Sequence, residues 1–217
     1  KTIRQRINPN FPITTPKFAE IEDVAINTRC LANCKYCYVS ALSSGKDFEN
    51  ILDKANVVWG SVEQNNRPFQ IAIGGAGEPT MHPDFIPFVK SVKELNIMPN
   101  YTTNGMHLSD SILLGTEEYC GGVALSYHPH IKKIFFNSIE KLKSIKTKLN
   151  IHIILGSQES LEDVKNLYKK YKSHIEYFVI LPYQAAGRAE KIETDIVWNE
   201  FFKFLSTLSE EEKSKFA

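Results

Sequence analysis

The sequence is poor in cysteine, and the few cysteines that it has are crowded together. Four cysteines occur among 217 residues, and three of them, Cys30, Cys34 and Cys37, fall within one short stretch. So few cysteines exclude the disulfide framework of a small secreted protein and fit a reducing compartment. Three neighbouring thiols are explained better by a soft metal or by reactivity than by packing.

The sequence also lacks a long hydrophobic run and an excess of charge of either sign. Mostly apolar runs such as residues 151–155 are far too short to span a bilayer, and no secretory signal opens the chain. We therefore expect a cytoplasmic protein with no membrane partner. The 26 Lys and Arg residues nearly balance the 25 Asp and Glu residues, so we expect no nucleic-acid partner.

The cysteine-rich stretch directly follows the β-branched run at residues 24–26 and has the spacing Cys30-x3-Cys34-x2-Cys37. Three thiolates can hold a tetrahedral zinc ion with a histidine as fourth ligand, or three irons of a [4Fe–4S] cluster with one iron open. Structural zinc sites usually pair two cysteine motifs far apart in sequence, whereas Cys120 stands alone. A single three-cysteine loop therefore favours the iron–sulfur cluster.

Segments of strand character alternate with segments of helical periodicity along the chain. The predicted strands are residues 21–27, 69–73, 98–103, 120–126, 149–155 and 175–181. Helices are predicted between and after them, with starts at Asp47, near Pro83, after Ser109 and at Ser160, and with apolar residues along 139–145 and 196–208. Strict alternation predicts parallel strands joined by crossover helices, hence an α/β barrel or an open sheet.

The beginning of the chain differs from the remainder in composition. Residues 1–20 contain three prolines and no sustained periodicity, so we expect an extended N-terminal arm. We expect residues 21–217 to form a single domain. In parallel α/β architectures the carboxyl ends of the strands form the site, and the cysteine loop and the glycine-rich residues 74–79 both follow predicted strands.

These motifs together resemble the radical SAM superfamily. The cysteine loop has the family spacing, with an aromatic residue, Tyr36, before the last cysteine. Residues 74–85 resemble the glycine-rich GGEP segment, residues 152–159 resemble a GxIxGxxE pattern, and Ser126 falls where relatives have a ribose-contacting polar residue. The elements occur in the family's order between about residues 21 and 190.

The resemblance implies a fold, a reaction and cofactors. The fold would be an open, partial TIM-like (β/α)6 barrel with parallel strands. A [4Fe–4S] cluster on Cys30, Cys34 and Cys37 would take an electron from a donor such as flavodoxin or ferredoxin. Reductive cleavage of S-adenosylmethionine would then give a 5′-deoxyadenosyl radical, which would abstract hydrogen from a substrate.

The resemblance also implies contacts to S-adenosylmethionine, which are expected from Tyr36, Gly75, Ala76, Gly77, Glu78, Asn104, Ser126, Ile154 and Arg188. Ala76 replaces the first glycine of GGEP, so we expect an ordinary backbone conformation there. Valine at Gly77 is expected to weaken cofactor binding and leave the cluster assembled. Strand alternation places Ser126 on an inner face lined by small residues, and Cys120 too far down the strand to be a cluster ligand.

The substrate is the least constrained part of the prediction. The substrate-side candidates expected at the open rim are Tyr38, His82, Tyr127, His128, His130, Tyr183 and Gln184. The tyrosines and histidines among them suit an extended, mixed-polarity ligand. We therefore expect a peptide or protein substrate, with a small metabolite or nucleotide derivative as the alternative. An alternative of another class is a non-catalytic scaffold stabilised by zinc or by a cluster.

Overall fold

The structure is a computed structural model and describes residues 19–217. Its strands are β1 Ile21–Val24, β2 Gln70–Ile73, β3 Met98–Thr103, β4 Gly122–Tyr127, β5 Lys148–Leu155 and β6 Phe178–Pro182. Its helices are α1 Ile51–Ala55, α2 Phe85–Glu94, α3 Asp110–Tyr119, α4 Lys132–Leu142, α5 Gln158–Tyr171, α6 Asp195–Ser206 and α7 Glu210–Lys213. Nearly all of the predicted N-terminal arm lies outside the described residues.

The strands form a single sheet whose spatial order is the order of the chain. All five neighbouring pairs, from β1–β2 to β5–β6, are parallel. The strands β1 and β6 are the two edges and do not pair with each other. The sheet is therefore an open six-unit barrel, as predicted. At the β6 edge, Phe178 and Ile180 donate backbone hydrogen bonds to residues 215 and 217.

The core lies between the sheet and its helices because both present one apolar side to the other. In β5 the odd-numbered residues Ile151, Ile153 and Leu155 are buried. In α2 the buried residues Phe85, Phe88, Val89 and Val92 recur at helical spacing. Burying each such side chain stabilises the fold by about 1.5–3 kcal/mol.

The opposite face of the sheet is lined by small and polar side chains. On β4 these include Ala124 and Ser126, which alternate with the core residues Val123 and Leu125. Ser126 pairs in register with His152 of β5, whose side chain therefore lies on the same inner face. The predicted inner position of Ser126 follows from this alternation.

Several element boundaries differ from the prediction; for example, β1 ends at Val24 instead of residue 27, and β6 begins at Phe178 instead of residue 175. The helix expected from Asp47 begins at Ile51 and passes into a π-helical turn over Asn56–Gly60, since Asp47 instead bridges to Asn27. The cap of α5 is Ser157, and Ser160 completes its capping box.

Cys120 was predicted to lie in β4, but that strand begins at Gly122, and Cys120 ends α3 as a buried core residue. Its predicted role as core rather than ligand does not depend on that boundary.

Among residues 19–217 no helix is both long enough and apolar enough to cross a membrane.

Candidate functional site

The cysteine loop is closed at its base by backbone pairing. After β1 the chain makes isolated bridges between Asn27 and Asp47 and between Arg29 and Leu42. The Cys30 amide donates to the Leu42 carbonyl at 3.0 Å, and the Arg29 guanidinium forms an ion pair with Asp47 at 2.6 Å. The three cysteines are thus presented on a loop whose two ends are held together.

The three thiols open into one cleft at the carboxyl ends of the strands. The cleft is lined by Cys30, Ala32, Cys34, Tyr36, Cys37, Tyr38, Val39, Ala41, Gly75, Ala76, Gly77, Glu78, Thr102, Thr103, Asn104, Ser126, His128 and Ile154. Every predicted cluster ligand and cofactor contact lines this cleft except Arg188. The topology therefore brings together residues from the ends of five separate strands.

Each cysteine sulfur has a nitrogen atom within hydrogen-bond reach. Asn104 Nδ2 donates to Cys30 Sγ at 3.5 Å, and the Ala41 amide donates to Cys37 Sγ at 3.4 Å. His128 Nδ1 lies 3.8 Å from Cys34 Sγ. These contacts come from the ends of β3 and β4 and from the loop itself.

The environment of Cys30 and Cys34 raises the pKa of both thiols and so opposes formation of the thiolates. Burial raises the pKa of the Cys34 thiol to about 12, and the neighbouring Cys30 and Cys37 act in the same direction. Burial also raises the pKa of Cys30, with the Glu78 carboxylate acting in the same direction. A metal centre would reverse this effect, because its positive charge stabilises the coordinating thiolates.

A single metal ion would need several ligands converging on one point. Zinc, for example, takes sulfur ligands at about 2.3 Å. Among residues 19–217 no three His, Cys, Asp or Glu side chains are arranged in that way. In a [4Fe–4S] cluster each thiolate binds a different iron, so its ligands need not share one point.

The glycine segment after β2 has a different role at each position. Gly75 has a φ of 83° and no atom within 4 Å of where a Cβ would be, so it exposes backbone to the cleft. Ala76 is not among the described residues with positive φ, which confirms its predicted ordinary conformation. A Cβ at Gly77 would lie 2.5 Å from Asn27 Oδ1 and 2.8 Å from the Arg29 carbonyl.

This close approach shows that Gly77 packs directly against the base of the cysteine loop. The neighbouring Glu78 amide donates to the same Arg29 carbonyl at 2.8 Å, and Asn27 Nδ2 donates to the Glu78 carbonyl at 2.8 Å. The prediction that valine at Gly77 would leave the cluster assembled is therefore revised, since a side chain there would displace the loop.

The carboxylate of Glu78 is buried and bonded within the protein. Its Oε1 accepts from the hydroxyls of Thr80 at 2.6 Å and Thr103 at 2.7 Å, and its Oε2 accepts from the Asn104 amide at 2.7 Å. Burial raises the pKa of Glu78, whereas these donors lower it. The side chain joins the glycine segment to the end of β3, and a direct bond from it to a ligand ammonium stays a prediction.

Arg188 lies behind the cysteine loop and outside the lining of the cleft. Its Nε and one terminal nitrogen donate to the Cys34 carbonyl at 3.2 and 3.1 Å, and the other donates to the Ala41 carbonyl at 2.9 Å. Its amide donates to the Cys37 carbonyl at 3.0 Å. The guanidinium thus fastens the loop from the β6 side, and its pairing with a ligand carboxylate stays a prediction.

The histidines expected at the substrate rim instead support the loops. His82 is buried, with Nε2 donating to the Phe48 carbonyl at 3.0 Å and Nδ1 accepting from the Asp84 amide at 3.0 Å. His130 Nε2 donates to the Ala32 carbonyl at 2.8 Å. His128 Nδ1 lies 3.1 Å from the Tyr36 hydroxyl, and burial lowers the pKa of His128 to about 4.

Of the three tyrosines expected at the rim, Tyr38 and Tyr183 lie there, whereas Tyr127 is buried in the core against Phe135. Tyr38 donates to the Gly75 carbonyl at 3.1 Å across the cleft. Tyr127 and Tyr183 line a second cavity, which adjoins the first because both include Tyr36 and Ile154. Tyr38 and Tyr183 can contact a ligand larger than one cofactor.

Sequence reasoning missed some residues that complete the cleft. Thr102 lines it from β3, and its position two residues before Asn104 on the same strand face was the available signal. Thr80 and Thr103 hold Glu78. The Thr80 contact is local, whereas the Thr103 contact joins separate loops, so no local pattern in the sequence predicts it.

The chain is similar to known proteins in sequence and in fold, although no family model matches it. A curated protein of Pyrococcus furiosus, described as a tungsten-containing aldehyde ferredoxin oxidoreductase cofactor-modifying protein, is 29% identical over 151 residues. That match covers 66% of this chain and 37% of that protein.

Solved structures match over most of the chain. Streptococcus suis SuiB bound to S-adenosylmethionine has a TM-score of 0.72 and 18% identity, covering 92% of this chain and 50% of SuiB. The protein anSMEcpe, with AdoMet and the Cp18Cys peptide bound, has a TM-score of 0.65 and 18% identity, covering 87% of this chain and 58% of that one. SuiB has also been solved with its precursor peptide SuiA.

This chain spans about half the length of the solved proteins that it matches. The similarity confirms the fold that the sequence motifs predict, a partial barrel of six parallel strands with alternating helices.

Proposed function

We propose that this chain, which has the fold of the radical SAM enzymes, is itself a radical SAM enzyme that holds a [4Fe–4S] cluster on Cys30, Cys34 and Cys37. The proposal rests mainly on one observation. The three thiols share a single cleft with the glycine segment, Ser126 and Ile154, although these residues are far apart in the sequence. A scaffold stabilised by a metal would have no need to gather cofactor-contacting groups around it.

The residues present fit the group that the family implies. Three soft thiols on one loop are the ligand type of iron–sulfur clusters, and nearby N–H donors can stabilise the thiolates. A reduced cluster together with S-adenosylmethionine supplies one-electron radical chemistry that amino-acid side chains cannot perform.

The side chains of the cleft can then bind and orient S-adenosylmethionine. The Gly75 carbonyl accepts from Tyr38 and has a second lone pair that can accept from an ammonium group. Ser126 offers a hydroxyl to a ribose, and Ile154 and Tyr36 offer apolar surface to an adenine. The cleft thereby positions a reactive cofactor beside the cysteine loop and limits the access of water to it.

The direct test is anaerobic reconstitution with iron and sulfide, reduction in the presence of S-adenosylmethionine, and chromatography for 5′-deoxyadenosine. We expect an absorbance band at about 400 nm, which is typical of iron–sulfur clusters. We also expect 5′-deoxyadenosine to form. A protein that retains zinc, takes up no iron and forms no 5′-deoxyadenosine would contradict the proposal and favour the scaffold alternative.

For the substrate we propose a peptide or protein. The cleft adjoins a second cavity with tyrosines at its edge, and the open side of the barrel leaves room for an extended ligand. Structures of SuiB and anSMEcpe contain peptides, which supports this choice by analogy of fold. An electron donor such as flavodoxin or ferredoxin is part of the same proposal.

A small-molecule substrate is the second candidate, because the Pyrococcus furiosus protein is described as cofactor-modifying. Experiments with deuterium-labelled candidate peptides and small metabolites distinguish the two substrate candidates. Transfer of deuterium from a peptide into 5′-deoxyadenosine would support the first candidate. Transfer from a small metabolite, with none from peptides, would support the second.

A further inference from the structure

Asn104 is held in one orientation at the end of β3. Its backbone amide donates to Glu78 Oε2 at 2.7 Å, and its side-chain Oδ1 accepts from the Met106 amide at 2.9 Å. Because Oδ1 is occupied by a backbone donor, Nδ2 is the atom that faces Cys30 Sγ, at 3.5 Å. The side chain is buried, so it does not exchange this contact for solvent.

We propose that Asn104 donates this N–H bond to the Cys30 thiolate and thereby raises the reduction potential of the cluster that the thiolate holds. The inference rests on the proposed function. An iron-bound thiolate has no proton and can only accept. A donor to its sulfur stabilises the reduced cluster more than the oxidised one, because reduction adds negative charge that the sulfurs share.

Asn104 is therefore a positioning residue that acts through Cys30. Of the groups that can donate to the three cysteine sulfurs, Asn104 is the one best tested by substitution. The donor to Cys37 is the backbone amide of Ala41, which only a proline would remove, and a proline would also fix the backbone of the loop. The nitrogen near Cys34 belongs to His128 and is shared with the Tyr36 hydroxyl, so its donor role depends on the tautomer.

The test compares the reduction potentials of the reconstituted variants. The amount of reduced cluster is monitored by electron paramagnetic resonance during a potentiometric titration. Asn104→Leu removes the donor at similar volume, and Asn104→Asp removes it but keeps the acceptor for the Met106 amide. At a fixed applied potential we expect the ratio of reduced to oxidised cluster to fall about tenfold in Asn104→Leu. For a one-electron couple that ratio corresponds to a lowering of about 59 mV.

The matched control is Asn100→Leu. Asn100 lies on the same face of β3, four residues earlier, and its side-chain Nδ2 donates to Gln70 Oε1 at 3.3 Å. At about 3.3 Å per residue it is about 13 Å from Asn104, so its loss should leave the potential unchanged. Asn104→Asp should also lower the potential, since a carboxylate adds repulsion to the missing donor.

Wild-type potentials in both Asn104 variants would overturn the inference. So would failure of both variants to hold a cluster while Asn100→Leu holds one, because Asn104 would then serve cluster assembly. If the wild-type protein itself took up no cluster, the proposed function would fail, and that outcome is distinguishable from the other two because it needs no variant.

Discussion

At the scale of single residues, the site depends on which side chains point at the cleft and which support it from behind. Cys30, Cys34 and Cys37 line the cleft, whereas Cys120 is buried in the core at the end of α3. Glu78 lines the cleft but has its oxygens bonded to protein donors. A residue near a ligand site can therefore be a support rather than a contact.

Alanine at any one of the three loop cysteines should abolish the iron–sulfur absorbance, because each thiolate would hold its own iron. Alanine at Cys120 should leave the absorbance intact and lower the free energy of unfolding by about 1 kcal/mol through the lost buried sulfur. Iron content and visible absorbance after reconstitution give the result. Equal iron loss in the Cys120 variant would contradict the ligand assignment.

Substitutions at two glycines should separate loop packing from cofactor contact. Gly77→Val should prevent cluster assembly, because its side chain would collide with the Arg29 backbone at the base of the loop. Gly75→Ala meets no protein atom, but its φ of 83° strains an alanine, so stability should fall by about 1–2 kcal/mol. The cluster should still assemble, while S-adenosylmethionine binds more weakly in the narrowed cleft.

Iron content and calorimetric titration with S-adenosylmethionine measure the two effects of the glycine substitutions. A Gly77→Val protein with full iron content would show that the loop tolerates displacement. Unchanged cofactor affinity in Gly75→Ala would show that this glycine serves only the turn.

At the scale of elements, the cysteine loop is held in place by the loops around it. The segment after β6 contributes Arg188, and the segment after β4 contributes His128 and His130. The 3-10 turn Pro79–Met81 follows Glu78, whose amide bonds the Arg29 carbonyl. The loop has no regular secondary structure of its own, so its order comes from these neighbours.

Arg188→Lys should loosen the loop, because one ammonium cannot replace a guanidinium that bonds two carbonyls. We expect a loss of about 1–3 kcal/mol in stability and faster removal of iron by a chelator. Arg67→Lys is the matched control, since Arg67 also donates to carbonyls, those of Val62 and Leu95, away from the cleft.

Both arginine variants should unfold at lower denaturant concentration, but only Arg188→Lys should lose iron faster. If the two proteins released iron at the same rate, the fastening role of Arg188 would be wrong.

At the scale of the whole molecule, the open barrel buries its outer face under helices and leaves a concave inner face of small and polar groups. Among the inner groups is His152, which pairs in register with Ser126. Burial lowers the pKa of His152 to about 4 from an ordinary value of 6.5. The folded protein therefore binds fewer protons at this site than the unfolded chain between these two values.

Stability should consequently fall as the pH is lowered from about 6.5 to about 4, because the unfolded state gains the proton first. His152→Leu removes this contribution, so the difference in unfolding free energy between variant and wild type should change across that window. Urea unfolding at several pH values measures it. A difference that is independent of pH would show that His152 is not held neutral by the fold.

Local sequence patterns predict the order and type of the elements and the motifs proposed to form the site. Alternating apolar patterns of period two and 3.6 predict parallel strands, and parallel strands place their carboxyl ends at one edge. The cysteine spacing, the glycines near residue 75 and Ser126 could therefore be assigned to one face from the order of residues alone. These features are local, so a single sequence carries them.

Contacts between distant segments determine which of these residues face the cleft and which support its walls. The contacts of Arg188 with the Cys34 carbonyl and of Asn104 with Cys30 join segments far apart in the chain. Helix starts such as Ile51, in place of the predicted Asp47, also depend on tertiary contacts, since Asp47 bonds Arg29. Such contacts form because packing of the barrel brings loop ends together, and no pattern along the chain encodes the direction in which a side chain turns there.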